Sequence, residues 1–335
     1  MDLLPGRCRA GRPYAGAVTL STDKKAWFTP SNHPEQKRYE TFDHVWHYTN
    51  AAGLEGILRS GTLWASSHLS LNDTSEIEFG IRALESAWAQ YLPELVPEAP
   101  RDAVGLWLDD MASKARARAF YFISATADGD SLVHWRAYAG EHGYAIRFDP
   151  SREFRLLRPT DESDLFQPDF IPSMYWRSVQ YGEFDLRWTQ RRDNRIYTTI
   201  ERALDAFSAL KHGRVADVRA LNDSLEQIYL TTVAFVKHAA FEHEQEVRLL
   251  AIGPPFPELV ATREGHYGPQ TYLTLSTAGD EILRYSTAET RQLAITQVRV
   301  GPGAEAPKFE SWVATLLTDA GYTDVLVDRS ELPFR

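Results

Sequence analysis

Short runs of aromatic and β-branched residues recur in every third of this 335-residue chain, and stretches of helical period separate them. Such an alternation constrains the fold more than any single motif, because each run must find a sheet partner while each amphipathic stretch must cover it. Thr41 to Thr49 has strand composition. Asn50 is placed to cap a helix over 51–59 that stops near Gly61, and Thr62 to Ser66 forms a second strand. After Ser75, a candidate cap, Ile77, Ile81, Leu84, Trp88 and Tyr91 recur at spacings of four and three, which predicts an amphipathic helix. Further helices are expected over 103–119, 196–210, 215–238 and 307–320. Strands are expected over 120–123, 143–148, 246–252, 271–275, 295–300 and 324–327. Residues 151–174 lack periodicity and read as a surface excursion. Residues 1–40, with Pro5, Pro13, Pro30 and Pro34, read as an irregular arm. The expectation is a single α+β domain over 41–335, a mixed sheet core with a mostly helical insertion at about 183–240.

A hydrophobic fraction of 43% with 24% charged residues excludes a chain disordered throughout. The formal charge of −10 opposes a general nucleic-acid coat. Two basic clusters, Lys114, Arg116 and Arg118, and Arg191, Arg192 and Arg195, read as solvated helix faces, although the first leaves a local strand-binding groove open. Cys8 is the sole cysteine, which rules out an intrachain disulfide and a cysteine zinc site. Without a signal-like leader or an apolar run near ~18 residues, the chain is expected in the cytoplasm, with no membrane partner.

Three segments carry candidate chemistry. His47-Tyr48-Thr49 ends a strand and puts an imidazole and a phenol on opposite faces. Ser124 and Thr126 follow an apolar strand and project small hydroxyls to one side, while Trp135 and Tyr138, three apart, would share a helical face and could floor a flat ring. In Phe241-Glu-His-Glu-Gln-Glu-Val-Arg-Leu-Leu250, an extended backbone would align Glu242, Glu244, Glu246 and Arg248 on one face. Repulsion there should raise at least one carboxyl pKa, with Arg248 opposing it. Val300-Gly-Pro-Gly303, followed by Glu305, imitates a dinucleotide loop but reads as a structural connector. Histidine spacings give no metal site, and Asn72-Asp73-Thr74 with Glu76 and Glu78 reads as a turn and an acidic helix start.

The ordered set of Val45 to Leu63, Leu71-Asn72-Asp73, Phe122 to Ser124, His134 to Phe148 and Glu244 to Arg248 resembles an uncharacterised bacterial domain family, over about residues 43–320. More distantly, His47-Tyr48-Thr49 is similar to the opening strand of ADP-ribosyltransferases, Ser124-Ala-Thr126 to their Ser-Thr-Ser element, and Glu244-Gln-Glu246 to their Glu-x-Glu motif. The resemblance implies an ADP-ribosyltransferase-like fold and an NAD-consuming enzyme, a bacterial toxin or defence effector, with NAD as substrate and no metal. It implies Glu246 facing the ribose, Glu244 orienting the acceptor and His47 holding a ribose or the nicotinamide amide. Ser124 would position Glu246, with Tyr48, Thr49, Thr126, Trp135, Tyr138 and Arg248 around the dinucleotide. The acceptor (protein, nucleic acid or small molecule) stays open. So do two alternatives: an NAD glycohydrolase, and a non-catalytic interaction or sensor module whose carboxylates pair with Arg248.

Overall fold

The computed structural model describes residues 42–333 apart from 71–74, 96–100, 141–142, 158–173, 183–193, 254–258, 266–267, 278–291 and 304. The expected N-terminal arm, Cys8, the Asn72-Asp73-Thr74 turn and the pair Arg191 and Arg192 lie outside these residues. In chain order the elements are β1 (Val45–Asn50), α1 (Ala51–Ser60), β2 (Leu63–Ser67), α2 (Glu76–Leu95), α3 (Arg101–Ala117) and β3 (Phe120–Thr126). A single turn, α4 (Leu132–His134), runs into a π-helical turn over Trp135–Ala139. Then come β4 (Gly143–Phe148), β5 (Phe154–Leu157), β6 (Arg177–Ser178), β7 (Gln180–Tyr181), α5 (Arg195–Lys211) and α6 (Val218–Ala234). Finally β8 (Val236–Lys237), a 3-10 turn over Ala239–Glu244, β9 (Glu246–Ile252), β10 (Val260–Gly265), β11 (Gly268–Thr277), β12 (Ile295–Val300), α7 (Ala306–Asp319) and β13 (Leu326–Arg329) complete the chain.

The architecture is mixed α/β, built on one large mixed sheet that forks at β3. One edge of β3 pairs along its length with β9, from Phe120↔Ile252 to Thr126↔Glu246. Its other edge is shared: β2 takes the start, at Ser66↔Phe122 and Ser67↔Tyr121, and β1 takes the end, at Trp46↔Thr126. From β2 one limb continues through β11 to β10 and β5; from β1 the other continues through β4 and β12 to β13. Between the limbs α1 turns the chain. Its Asn50 cap accepts the Gly53 amide at 2.8 Å, and Gly61, at φ 61°, closes it on the Ile57 carbonyl. Gly53 is required here because a Cβ would lie 2.1 Å from Thr49 Oγ1.

Strand alternation splits the burial. Tyr121, Ile123, Ala125, Val247 and Leu249 face one core, which α1 and α7 cover through Leu54, Leu58, Val313, Leu316 and Leu317. Phe120, Phe122 and Leu250 face a second core built by α2, α3, α5 and α6. The helices expected over 183–240 therefore join α2 and α3 in one layer. A small aromatic cluster of Trp46, Tyr48, Trp135, Ala139 and Ala145 lies on this same second face, over β1 and β4.

Two expectations are corrected. Residues 154–157 are not surface excursion: Phe154, Leu156 and Leu157 are buried as β5 against β11, a run of four too short for its period to be read. The helix expected to reach residue 238 stops at Ala234, because the Phe235 and Lys237 carbonyls accept from the Gln180 and Gly182 amides at 2.8 Å each. The chain leaves the helix as β8, beside β7.

Gly80 of α2 is where that layer closes, since a Cβ there would meet the Val233 backbone at 2.3 Å. The backbone of α6 cannot yield cheaply. Gly80→Ala should therefore lower stability by about 1–3 kcal/mol in urea unfolding despite the better helix propensity of alanine; an unchanged midpoint would contradict this packing.

Candidate functional site

Ser124 is the one position of β3 open to solvent; its six strand neighbours are buried. It faces the second side of the sheet, where the helical layer ends and the aromatic cluster has not yet begun. Across β9 its partner is Arg248, and Thr126 is paired with Glu246. His47 closes the fork, its Nδ1 at 2.8 Å from the Ser124 carbonyl oxygen. The ring is half-buried, and desolvation pushes its pKa below the ordinary imidazole value against the opposing effect of that bond. The Ser124 side chain shares its face with the Glu246 carboxylate across the β3–β9 ladder. The Ser124 and Glu246 side chains therefore lie together on the second face, whereas strand alternation places the His47 ring on the first face, beside Ile146, where it reaches only the Ser124 backbone.

Beneath Ser124 lies a buried ion cluster. Glu246 accepts from Arg248 Nε at 2.5 Å and Nη2 at 2.8 Å, and from Lys237 Nζ at 3.1 Å. Lys237 also reaches Glu244 at 2.7 Å and Glu76 at 3.1 Å, while Arg248 Nη2 donates to Glu76 at 2.6 Å. Three carboxylates face two cations, leaving one formal negative charge in excess. The Arg248 guanidinium also lies over the Phe122 ring, 4.7 Å from its centroid.

These contacts correct the expected carboxyl shift. Burial does work against the charged form of Glu246, but Arg248 and Lys237 outweigh it and hold the carboxyl down at about 2. The same carboxylates raise Lys237 and Arg248 above their ordinary values against desolvation. The common strand face is corrected too. Ala239–Glu244 is a 3-10 turn, and Gln245, at φ 43°, is in the left-handed region, so the strand begins only at Glu246. Glu242 is left exposed, whereas Glu244 folds back onto the lysine that also holds Glu246.

Several expected site residues are occupied structurally. The Tyr48 hydroxyl donates to the Asp128 carbonyl at 3.0 Å and accepts the Ser131 amide at 2.9 Å, fixing the loop after β3. Thr126 is buried and accepts from the Asp128 amide at 3.2 Å. Thr49 packs on the first turn of α1. Trp135 and Tyr138 do not share a face, because the π turn winds more widely than an α-helix. Trp135 is buried edge-on to Tyr48 and donates to Asp130, whereas Tyr138 is 51% exposed and donates to Glu244 at 3.1 Å. Burial pushes the Tyr138 phenol up to about 12, and Glu244 adds to the shift. The accessible groups on this face are therefore Ser124 and Tyr138, with the ion cluster behind them.

Residues not singled out complete the site. Glu76, read as part of an acidic helix start, is a full member of the cluster. Lys237 follows the apolar run Val233 to Val236, and a lysine at the end of a buried run is the signal that would have found it. Tyr181 accepts the Glu246 amide at 2.7 Å. His134 is buried and stacks on Tyr48 at 5.0 Å, while its Nδ1 has no partner among the described residues. The basic stretch of α3 is spoken for: Lys114 and Arg118 bind Glu226 and Arg116 binds Glu78, a solvated face rather than a groove for phosphates. Gly301 of the glycine loop donates to the Gly143 carbonyl at 2.8 Å and abuts the Trp135 ring, as a connector should. Among the described residues no group of three His, Cys, Asp or Glu side chains is arranged to hold a metal ion, and no helix is long and apolar enough to cross a membrane.

With this geometry in place the chain can be compared with known proteins. Residues 134–249 match the model of a family described as protein of unknown function, DUF2971. The match is to a domain of unknown function, as the motif order led us to expect, and it holds Tyr138, Glu244, Glu246 and Arg248 while His47 and Ser124 lie before it. No curated protein and no solved structure matches the chain.

The cluster fixes the acid side of the stability profile. A carboxyl lowered from 4.5 to about 2 stabilises the fold fully above pH 4.5, and that contribution, on the order of 3 kcal/mol, is lost as pH falls through 2. Glu246→Gln should flatten this arm in pH-dependent unfolding and cost about 3–5 kcal/mol at pH 7, because two buried cations lose a partner. A parallel acid arm in the variant would refute the assignment.

Proposed function

We propose that the fork between β1 and β3 binds NAD and that the chain cleaves the nicotinamide–ribose bond, passing ADP-ribose to an acceptor. The observation that carries this reading is the solvent-open Ser124, its carbonyl held by His47 and its side chain on the same sheet face as the Glu246 carboxylate. The succession of a histidine strand, a serine strand and a glutamate strand, adjacent through β3, supports an ADP-ribosyltransferase-like fold.

Cleavage sends the bonding electrons to the pyridinium nitrogen and leaves positive charge on the ribose. A fixed carboxylate beside that carbon stabilises it only if it stays ionised. Arg248 and Lys237 keep Glu246 ionised across the physiological range, and the cluster retains one formal negative charge. Glu244, bridged by Tyr138 to the surface, would receive the proton of the attacking acceptor. If the acceptor is water, the same steps give an NAD glycohydrolase.

A second reading has its own observation. Both Glu246 oxygens already accept from cations, which suits a module that recognises a ligand without cutting it. Labelled NAD separates the readings. Ser124→Ala, which leaves the ion cluster intact, should slow nicotinamide release about tenfold or more, and Glu246→Gln, confirmed folded by circular dichroism, about 10²–10³-fold. Nicotinamide release without labelled acceptor by the unaltered protein, unchanged in Glu244→Gln, identifies the hydrolase. Binding of NAD without release by the unaltered protein identifies the sensor, and absence of binding overturns all three.

A further inference from the structure

The limb that leaves β3 through β2 carries a feature that cross-strand packing alone does not explain. Trp64 of β2 is 46% exposed. Tyr272 of β11 lies beside it, the ring centroids 4.5 Å apart, and the Arg263 guanidinium of β10 stands over both rings at 5.1 and 5.9 Å. Cross-strand pairing accounts for the two aromatics. The arginine is different: among the described residues it has one long bond, to Ser66 Oγ at 3.3 Å, no carboxylate partner, and a buried Nε with no acceptor. A half-buried cation with an unfilled donor, lying on an open indole, is a site for an anion attached to a flat ring.

Its position ties it to the fork. Ser66 is paired with Phe122 and with Tyr272, so these residues share the sheet face that carries Ser124. Trp64 and Ser124 each lie two residues beyond the Ser66–Phe122 pair, on the two sides of the opening. At about 3.4 Å per residue both stand ~7 Å past the last rung. The indole and the serine therefore border the same gap, both in contact with solvent.

We propose that Trp64, Tyr272 and Arg263 form a nucleotide-base platform: the ring stacks on Trp64 and its phosphate is met by Arg263. This rests on the reading of the fork as a dinucleotide site and assigns the half of the ligand remote from the bond that breaks, yet it stands or falls by binding alone. A base on Trp64 and a ribose at Ser124 would span the opening.

The probe is AMP, titrated calorimetrically into the full chain, with adenosine as the uncharged comparison. AMP should bind; Trp64→Ala should weaken it about tenfold or more, while Trp64→Phe, which keeps a ring, stays within about threefold. Arg263→Gln should weaken AMP about tenfold and leave adenosine unchanged. Undetectable AMP binding, or binding indifferent to Trp64→Ala and Arg263→Gln, overturns the platform. AMP binding that depends on Trp64 in a protein inert toward NAD would sink the enzymatic reading and leave the platform standing; NAD cleavage unaffected by Trp64→Ala would do the reverse.

Discussion

One strand edge serving two partners is the constraint from which the rest follows. β3 gives the first part of its open edge to β2 and the last part to β1, and no ladder can be continuous through the point where the partner changes. The residues between lose their rungs. His47 supplies a side-chain bond to the Ser124 carbonyl there, which a buried backbone group needs. The two faces of the sheet are covered separately, one by α1 and α7, the other by the helical layer, and among the described residues Ser124 alone of β3 stays open to solvent. Solvent reaches a central strand only because two sheets' worth of strands compete for it.

Placing charge behind that opening imposes a second balance. Each of the four buried groups, Lys237, Glu244, Glu246 and Arg248, would be costly alone, and the partly buried Glu76 joins them. Together they are arranged so that Glu246 has both cations and Lys237 has all three carboxylates. The result is a carboxylate that cannot be protonated near neutrality and a tyrosine, Tyr138, that links the cluster to the surface. Such a cluster gives stability only as a whole.

Much of the architecture was legible in local pattern. The capped helix after Asn50, the exact bounds of Gly143–Phe148 and Ile295–Val300, and the period of Ile77, Ile81 and Leu84 all follow from composition and spacing, since these segments obey one period and bury one face. The segments that misled are those whose conformation is set from outside. Lys237 leaves a helical pattern because β7 takes the backbone carbonyls around it. Glu244 leaves a strand pattern because Gln245 adopts a left-handed turn that no glycine announces. Trp135 and Tyr138 separate because a π turn is not written in a spacing of three.

The sequence by itself determined which residues are chemically notable, since an imidazole ending a strand, a hydroxyl after an apolar run and carboxylates before one are local facts. It also determined the mixed class of the fold through its alternating periods. Tertiary structure decided which of those residues meet and in what state. Glu246 carries a lowered pKa because Arg248, two residues on along the same strand, is joined by Lys237 from β8, and Glu76 closes the cluster from 172 residues before Arg248. Proximity across such separations is fixed by strand pairing and helix packing, which no local pattern encodes, so the charge balance that sets the site's chemistry existed only once β3 had been given both of its partners.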